Sequence, residues 1–259
     1  MLPSVHVDQL GRSVTLSGAP RRIISLVPSI SELLFDLKLG SEVVGVTRFC
    51  VHPIHARKDK TIVGGTKKID FAKIDALQPD LIIGNKEENY PEGIFQLAEK
   101  YPVWMSDVNT YIDALQMIAQ LGEVTGRIAE ANELAGRINL GFGGAPFFPR
   151  TRVAYLIWRE PWMAVGSDTF IHSMMEKIGL ENVLQSQPRY PEVTLSQLRD
   201  IHPDVILLSS EPFPFKEEHK VELHQQLPGI KIRDVDGEMF SWYGSRMVLA
   251  ATYFKSLVF

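Results

Sequence analysis

The sequence contains a single cysteine, Cys50, among its 259 residues. One cysteine cannot form an intrachain disulfide, so cysteine usage leaves the redox compartment open. No apolar run approaches the roughly 18 residues of a membrane-spanning helix. Lys and Arg number 27 against 31 Asp and Glu, and the resulting net charge of −4 argues against nucleic acid as a main partner.

The signatures of common enzymes are also absent. The sequence has no Gly-x-Ser-x-Gly, no His-Glu-x-x-His and no Cys-x-x-Cys. The segment 64–68 (GGTKK) lacks the spacing of a phosphate-binding loop. We therefore expect a protein without catalytic residues or a catalytic cofactor.

The opening residues, MLPSVHVD, contain neither the basic n-region nor the apolar h-region of a secretory signal. Two expectations remain open on this evidence. The protein is periplasmic or at the cell surface and its signal was removed, or it is cytoplasmic.

What the sequence does contain is a repeat. Residues 70–83 and 194–207 each have apolar residues at helical spacing, then Pro-Asp, then an apolar run. Such a pattern predicts a short amphipathic helix, a break and a buried strand. A repeated helix–strand unit predicts two similar α/β lobes, with a ligand cleft between them.

The repeat extends upstream, where 22–27 resembles 152–157 and 38–44 resembles 177–183. The offset between the copies grows between these pairs, so the second lobe has an insertion at roughly residues 158–166. Loops that follow strands in α/β sheets often bind ligands, and this one contains two tryptophans and an arginine.

Between the two copies, residues 111–140 contain no proline, and their apolar residues recur at helical intervals. This spacing predicts one long connecting helix. The predicted organisation is an N-terminal lobe at 1–109, a connecting helix at 110–142 and a C-terminal lobe at 143–259. Further along the chain, the pattern predicts a final helix near 245–259. In the first lobe, Ser29 and Glu32 have the spacing of a capping box for a helix over Ile30–Lys38.

Five segments resemble a known family in their order and spacing: Arg22–Glu32, Val44–Val46, Ala76–Ile83, Ile178–Asn182 and Leu195–Ile206. The chain resembles the class III solute-binding proteins of ABC importers over about residues 20–257. These helical-backbone metal receptors bind vitamin B12, haem or ferric siderophores, and the likeness is strongest to the vitamin B12-binding members.

The resemblance implies a monomeric receptor that binds a corrinoid or another metal chelate and delivers it to an ABC permease. It implies ligand contacts from the aromatic rings of Phe49 and Tyr190. Two further aromatic positions of the vitamin B12 receptors fall at Thr66 and Asn85, and an acidic–basic pair falls near Glu238 and Trp242.

The same family docks on its permease through one exposed glutamate per lobe, and these positions hold Ala72 and Ser196 here. Neighbouring acids at Asp70, Asp75 and Asp200 could substitute. Two alternatives stay open: a cytoplasmic corrinoid- or metal-handling protein without a transporter, and a chelatase-like enzyme.

The residues themselves suggest contacts at four strand-end segments. After the Val43–Val46 strand, Phe49 would stack on a ligand and Cys50 or His52 would coordinate a metal, unless the loop is buried and its cysteine structural. After the first repeated strand, Asn85, Lys86 and Glu87 would orient a polar ligand, or form a solvated loop.

In the second lobe, Trp158 and Trp162 would stack on a flat ligand while Arg159 pairs with its acidic groups; the alternative is a packing loop. Phe240, Trp242 and Tyr243 precede the last helix and would line the ligand site, or pack the lobe interface.

Overall fold

A computed structural model of the protein describes residues 3–144 and 146–258. The strands are β1 (Ser4–Val7), β2 (Ser13–Leu16), β3 (Ile23–Ser25), β4 (Val43–Val46), β5 (Thr61–Ile62), β6 (Leu81–Asn85), β7 (Val103–Ser106), β8 (Thr151–Trp158), β9 (Met163–Ala164), β10 (Leu180–Asn182), β11 (Val205–Ser209) and β12 (Lys231–Val235). The helices are α1 (Pro28–Asp36), α2 (Ala56–Asp59), α3 (Phe71–Leu77), α4 (Pro91–Ala98), α5 (Tyr111–Thr125), α6 (Ile128–Gly141), α7 (Phe170–Ile178), α8 (Leu195–Ile201), α9 (Glu217–Gln226), α10 (Gly237–Ser241) and α11 (Arg246–Ser256).

The predicted final helix is α11, which ends at Ser256; position 259, to which the prediction extended, lies outside the described residues, as do 1, 2 and 145. In the part of the chain that the structure describes, no helix combines the length and the apolar character needed to cross a membrane.

The chain packs into two compact units. The first unit comprises Met1–Val108, Ile112–Arg137 and Tyr243–Arg246, and the second comprises Asn109–Tyr111, Ile138–Trp242 and Met247–Phe259. Each unit contains its own sheet, so the prediction of an α/β protein with two lobes is confirmed.

The first unit is built on a parallel sheet with the strand order β5-β4-β3-β6-β7. Its inner strands are buried almost throughout, as expected for a parallel sheet covered on both faces. One core cluster joins strand residues such as Ile24 and Ile82 to helix residues such as Ile74 and Ile94. The hairpin β1–β2 forms a separate antiparallel pair.

The second unit has the parallel strand order β10-β8-β11-β12, with β9 antiparallel to β8. The central strands β8 and β11 correspond to β3 and β6 of the first unit. The inserted segment of the second lobe therefore begins at the end of β8 and returns along it as β9.

The repeated Pro-Asp pattern has the same structural role in both units. Helices α3 and α8 end at Gln78 (φ 44°) and His202 (φ 50°), each with left-handed backbone geometry. An αL residue commonly ends a helix, and the following proline prevents its continuation. The strand after each break, β6 or β11, then enters the middle of its sheet, which confirms the predicted helix–strand repeat.

In each repeat, an arginine at the start of the first strand and an aspartate after the helix connect these two elements by hydrogen bonds. The Asp80 carboxylate accepts the backbone N–H of Arg22 at 2.8 Å, and the Arg22 guanidinium donates to the carbonyl of Leu77. In the second unit Asp204 accepts the backbone N–H of Arg152 at 2.8 Å. The Arg152 side chain donates to the last carbonyls of α8. The basic residue that opens each repeat thus satisfies the free carbonyls at a helix end.

The prediction of one long connecting helix is wrong, because the segment forms two helices, α5 and α6, that meet at Gly126. Gly126 has φ +72°, and its N–H donates to Glu123 while the N–H of Arg127 donates to the carbonyl of Gly122. These two bonds form a Schellman motif, which stops α5. Gly122 also lets α6 approach closely, since a Cβ there would lie 2.5 Å from that of Ala131.

The predicted capping box at the start of α1 is also absent. The helix begins earlier, with Val27 as N-cap and Pro28 in its first turn, and no side chain caps it. Proline is favoured at this position because it lacks an N–H that would have no partner. Glu32 is therefore free for another contact, an ion pair with Arg246.

Candidate ligand site

The carboxyl ends of the central strands define the candidate site in each unit. In both sheets the chain order reverses beside the central strand, at β3–β6 in the first unit and β8–β11 in the second. Ligands of open α/β sheets bind outside the carboxyl ends of strands at such a reversal. The relevant loops follow β4 and β6 in the first unit, and β8, β11 and β12 in the second.

Phe49 presents an open aromatic face after β4, with 52% of its surface exposed. Its ring lies against the backbone of Gly65, where a Cβ would come within 3.0 Å of the ring. The side chain of Arg48 lies beside the ring, and its Nε would be 3.6 Å from a Cβ at Gly65. The ring is therefore open at the surface, and its stacking on a ligand stays a prediction.

Cys50 and His52 do not share this exposure. The Cys50 thiol is fully buried and donates to the carbonyl of His52 at 3.3 Å. Burial raises the pKa of this thiol, so it stays protonated and is a poor metal ligand. This geometry corresponds to the structural alternative for Cys50.

Within residues 3–144 and 146–258, no group of three His, Cys, Asp or Glu side chains is arranged to hold a metal ion.

Asn85 shapes the loop after β6 from inside. Its buried amide donates to Ser106, and its Oδ1 accepts the N–H groups of Glu87 and Glu88 at 2.8 and 3.1 Å. Side-chain acceptors of this kind fix a turn. The predicted ligand contact at Asn85 is thus replaced by a role in holding the loop.

The neighbours of Asn85 are more accessible. Lys86 is exposed, and its Nζ lies 2.6 Å from the carboxylate of Asp107. The backbone carbonyl of Glu87 accepts a hydrogen bond from the ammonium of Lys67. Thr66 is buried, and its carbonyl accepts from Asn89 at 3.0 Å. Of these predicted contacts, only Lys86 and Glu87 have side chains at the surface.

Trp158 lies at the carboxyl end of β8, with 40% of its surface exposed. Its ring meets that of Phe213 edge to face, with centroids 5.4 Å apart. Phe213 belongs to the loop after β11 and also contacts Phe215 and His219. The ends of β8 and β11 therefore share an aromatic surface. The sequence pattern predicted only the tryptophan of this surface.

Phe213 could have been found from the sequence. The strand-end rule that identified Asn85 after the first repeated strand applies equally to residues 210–216 after the second. That segment, SEPFPFK, contains two phenylalanines, each directly after a proline.

Trp162 and Arg159 pack against other side chains of the second unit. Trp162 is buried in the core of the second unit and stacks on Phe215, with an angle of 9° between the rings. The guanidinium carbon of Arg159 lies 4.7 Å from the centre of the Trp162 ring. The same guanidinium forms a bidentate ion pair with Glu222. The prediction that Trp162 contacts ligand is therefore wrong, because Phe215 covers its ring.

The aromatic residues before α11 are buried as well. Phe240 is fully enclosed between Tyr155 and Phe254, so its predicted ligand contact is wrong and its packing alternative applies. Trp242 is largely buried and donates its indole N–H to Glu211 at 3.2 Å. Tyr243 lies within the first unit, where burial raises the pKa of its hydroxyl well above the ordinary value.

Tyr190 occupies the segment before α8 and is half-buried. The guanidinium of Arg189 lies 5.5 Å from the centre of its ring. Arg189 has φ +59° and donates to Asn109 at 3.1 Å and to the carbonyl of Asp168. A non-glycine residue in this backbone region is uncommon and often found near functional sites.

Ala72 and Ser196, at the predicted permease-docking positions, are exposed and occupy the second position of α3 and α8. Two of the acids near them have other partners. The Asp70 side chain accepts the N–H of Lys73, and Asp75 binds Lys100 and Tyr101. Ala72 and Ser196 therefore occupy equivalent positions in the two repeats.

Comparison with known proteins gives matches across almost the whole chain. A family model described as periplasmic binding protein matches residues 23–227. The chain is 23% identical to an uncharacterized ABC transporter substrate-binding lipoprotein, YvrC of Bacillus subtilis, over 96% of this chain and 83% of the relative. It is 25% identical to a vitamin B12-binding protein of Pectobacterium carotovorum, over 90% of this chain and 86% of that one.

A solved structure with a similar fold is the periplasmic haem-binding protein HutB of Vibrio cholerae. The two structures superpose with a TM-score of 0.75 at 21% identity, over 91% of this chain and 97% of the other. At this level of identity the likeness concerns the fold.

Proposed function

Because the chain belongs to the periplasmic binding protein family, we propose that it binds a corrinoid or another metal chelate as the substrate-binding protein of an ABC importer. Membership of this family makes the chain a binding protein rather than an enzyme, and confirms the resemblance to ABC solute-binding proteins. Haem and ferric siderophores are the other chelates that the proposal includes.

The observation that carries the proposal is the exposure of aromatic faces at the carboxyl edges of both sheets. Phe49 provides such a face in the first unit, and Trp158 with Phe213 in the second. Flat macrocycles bury large apolar areas against aromatic rings, with few polar contacts needed for orientation. A relative named as a vitamin B12-binding protein and a fold neighbour named as haem-binding support this ligand class. The expected location of the ligand in a cleft between the lobes stays a prediction.

The proposal extends to the setting of the protein. Its relatives include a substrate-binding lipoprotein of an ABC transporter, which supports a location outside the cytoplasm and a permease partner. We further propose that the protein acts as a monomer. The permease would contact α3 and α8 at Ala72 and Ser196.

The test is isothermal titration calorimetry of the purified protein with cyanocobalamin, haemin and ferrioxamine B, each in a separate titration. Saturable binding of one chelate at micromolar concentration or tighter is the expected result, since receptors must capture dilute ligand. A protein without a haem site, such as lysozyme, serves as a control for non-specific adsorption of haemin. If none of the three chelates binds saturably, the proposed function is wrong.

A further inference from the structure

Glu211 lies in the loop that follows β11, beside the point where the strand order of the second unit reverses. One of its oxygens is fixed. Oε1 accepts the hydroxyl of Ser241 at 2.7 Å and the indole N–H of Trp242 at 3.2 Å. The side chain also lies close to the backbone of Gly237, where a Cβ would come within 2.6 Å of its Cγ. The carboxylate is thus held by α10 in one orientation.

The other oxygen is not used within the protein. Among residues 3–144 and 146–258, the hydrogen bonds of the Glu211 carboxylate go to Oε1 alone, and the residue is only partly buried. Oε2 therefore remains open as an acceptor. Two positions further along the same loop, the ring of Phe213 forms the aromatic surface with Trp158.

The charges around Glu211 define what this oxygen can accept. Asp236 and Glu238 are close enough to raise the pKa of Glu211, although burial is the larger cause. The Asp236 carboxylate is occupied with the N–H of Glu238, at the start of α10. The immediate surroundings of Glu211 are therefore negative, so they disfavour a ligand carboxylate and favour groups that donate hydrogen bonds.

We propose that Glu211 is a ligand-binding residue that accepts a hydrogen bond from a carboxamide or ammonium group at the rim of the chelate. This inference rests on the proposed function and specifies it further. Aromatic stacking is indifferent to the rim substituents of a macrocycle, whereas a fixed carboxylate distinguishes a carboxamide from a carboxylate. Glu211 would thus select among chelates of similar shape, favouring carboxamide-bearing rings over polycarboxylate rings.

The experiment compares two corrins of the same ring, dicyanocobinamide with its carboxamides and dicyanocobyrinic acid with carboxylates. Glu211→Gln keeps an oxygen for Ser241 and Trp242 but presents an N–H₂ donor to the ligand in place of the acceptor. We expect the wild-type protein to prefer cobinamide, and Glu211→Gln to reduce that preference by at least tenfold, as expected for loss of one charged hydrogen bond.

Two further variants separate ligand contact from scaffolding. Glu217→Gln removes the same charge from the exposed start of α9 and should leave the preference unchanged. Trp242→Phe removes one donor to Glu211 but keeps the carboxylate, so we expect the preference to fall by less than in Glu211→Gln.

The assignment alone is overturned if Glu211→Gln keeps the wild-type preference, whether both corrins bind as they do to the wild-type protein or both bind more weakly. It is also overturned if the wild-type protein binds haemin or ferrioxamine B but neither corrin. Failure of the wild-type protein to bind any chelate overturns the proposed function together with the assignment.

Discussion

Arg246 and Glu32 are 214 positions apart in the sequence and form a two-pronged ion pair, with N–O distances of 2.6 and 3.0 Å. Both side chains are largely buried, at 6% and 13% exposure. The pair fastens residues 243–246, which enter the first unit from the far end of the chain, to the middle of α1. Gly244 lies against the same helix, near the side chain of Leu33.

Loss of Arg246 should destabilise the protein in a pH-dependent manner. Burial raises the pKa of Glu32, although Arg246 opposes this effect. An acid with a raised pKa in the folded state contributes stability at low pH, which is lost as the pH rises through that pKa. Arg246→Met leaves the carboxylate without its counter-charge and raises its pKa further. The cost should be small near about pH 4 and reach about 3 kcal/mol at neutral pH.

The measurement is urea unfolding at several pH values. Arg150→Met serves as a control, because Arg150 is exposed and its ion pair with Glu181 lies at the surface; it should cost less than about 1 kcal/mol. A cost of Arg246→Met that stays constant from acid to neutral pH would contradict the role given to Glu32.

The contact between α5 and α6 gives a second prediction. Gly122→Ala would place a Cβ 2.5 Å from that of Ala131, so we expect destabilisation by about 1–3 kcal/mol through overpacking. Gly136→Ala is the matched control, since it also lies in this helical segment but meets nothing within 4 Å. Its greater helix propensity should stabilise by up to about 1 kcal/mol. Thermal unfolding of both variants checks the opposite signs.

Fluorescence provides a third prediction, because the four tryptophans differ in exposure. Trp158 is 40% exposed, whereas Trp104, Trp162 and Trp242 are buried. We expect acrylamide to quench mainly Trp158. In Trp158→Phe most of the accessible quenching should disappear. Equal quenching of the wild-type protein and this variant would show that the ring is not available at the surface.

The aromatic surface itself can be tested at Phe213. Phe213→Leu removes the ring that meets Trp158, and we expect chelate affinity to fall by about threefold to tenfold, the usual worth of an aromatic pair. Phe95→Leu is the control, since Phe95 is an exposed phenylalanine on α4 of the first unit. Similar losses in the two variants would exclude a special role for Phe213.

The docking positions yield a fifth prediction. If the permease presents arginines, as the family resemblance implies, Ala72→Glu with Ser196→Glu should strengthen binding to the permease in nanodiscs. The reverse charge, Ala72→Lys with Ser196→Lys, should weaken it. Both positions are exposed, so folding should be unaffected. If neither pair changes the affinity, α3 and α8 do not form the docking surface.

The repeat made much of the fold predictable. Phe71, Ile74 and Leu77 have helical spacing, and the Pro-Asp that follows fixes the break before β6. These signals are local, so the sequence alone is sufficient to detect them. The second copy confirmed the interpretation because it repeated the same pattern at 194–207.

The wrong predictions concern residues whose contact partners are distant in the sequence. Trp162 had the composition of a binding loop, but Phe215, more than 50 residues later, covers its ring. Glu32 matched a capping box, but its partner is Arg246. The break at Gly126 differs from these two cases, because the glycine is visible in the sequence but its left-handed conformation, with φ +72°, is not. Neither pairing nor packing across the chain follows from spacing alone.

The return of residues 243–246 to the first unit has a consequence for dissection of the molecule. The chain moves back and forth between the two units, so no single cut separates one unit complete from the other. A fragment ending before α7 would contain Glu32 without Arg246, and a fragment starting at β8 would carry the reverse. Gene truncations are therefore expected to give unstable halves, whereas co-expression of two complementary fragments should restore a soluble, paired assembly.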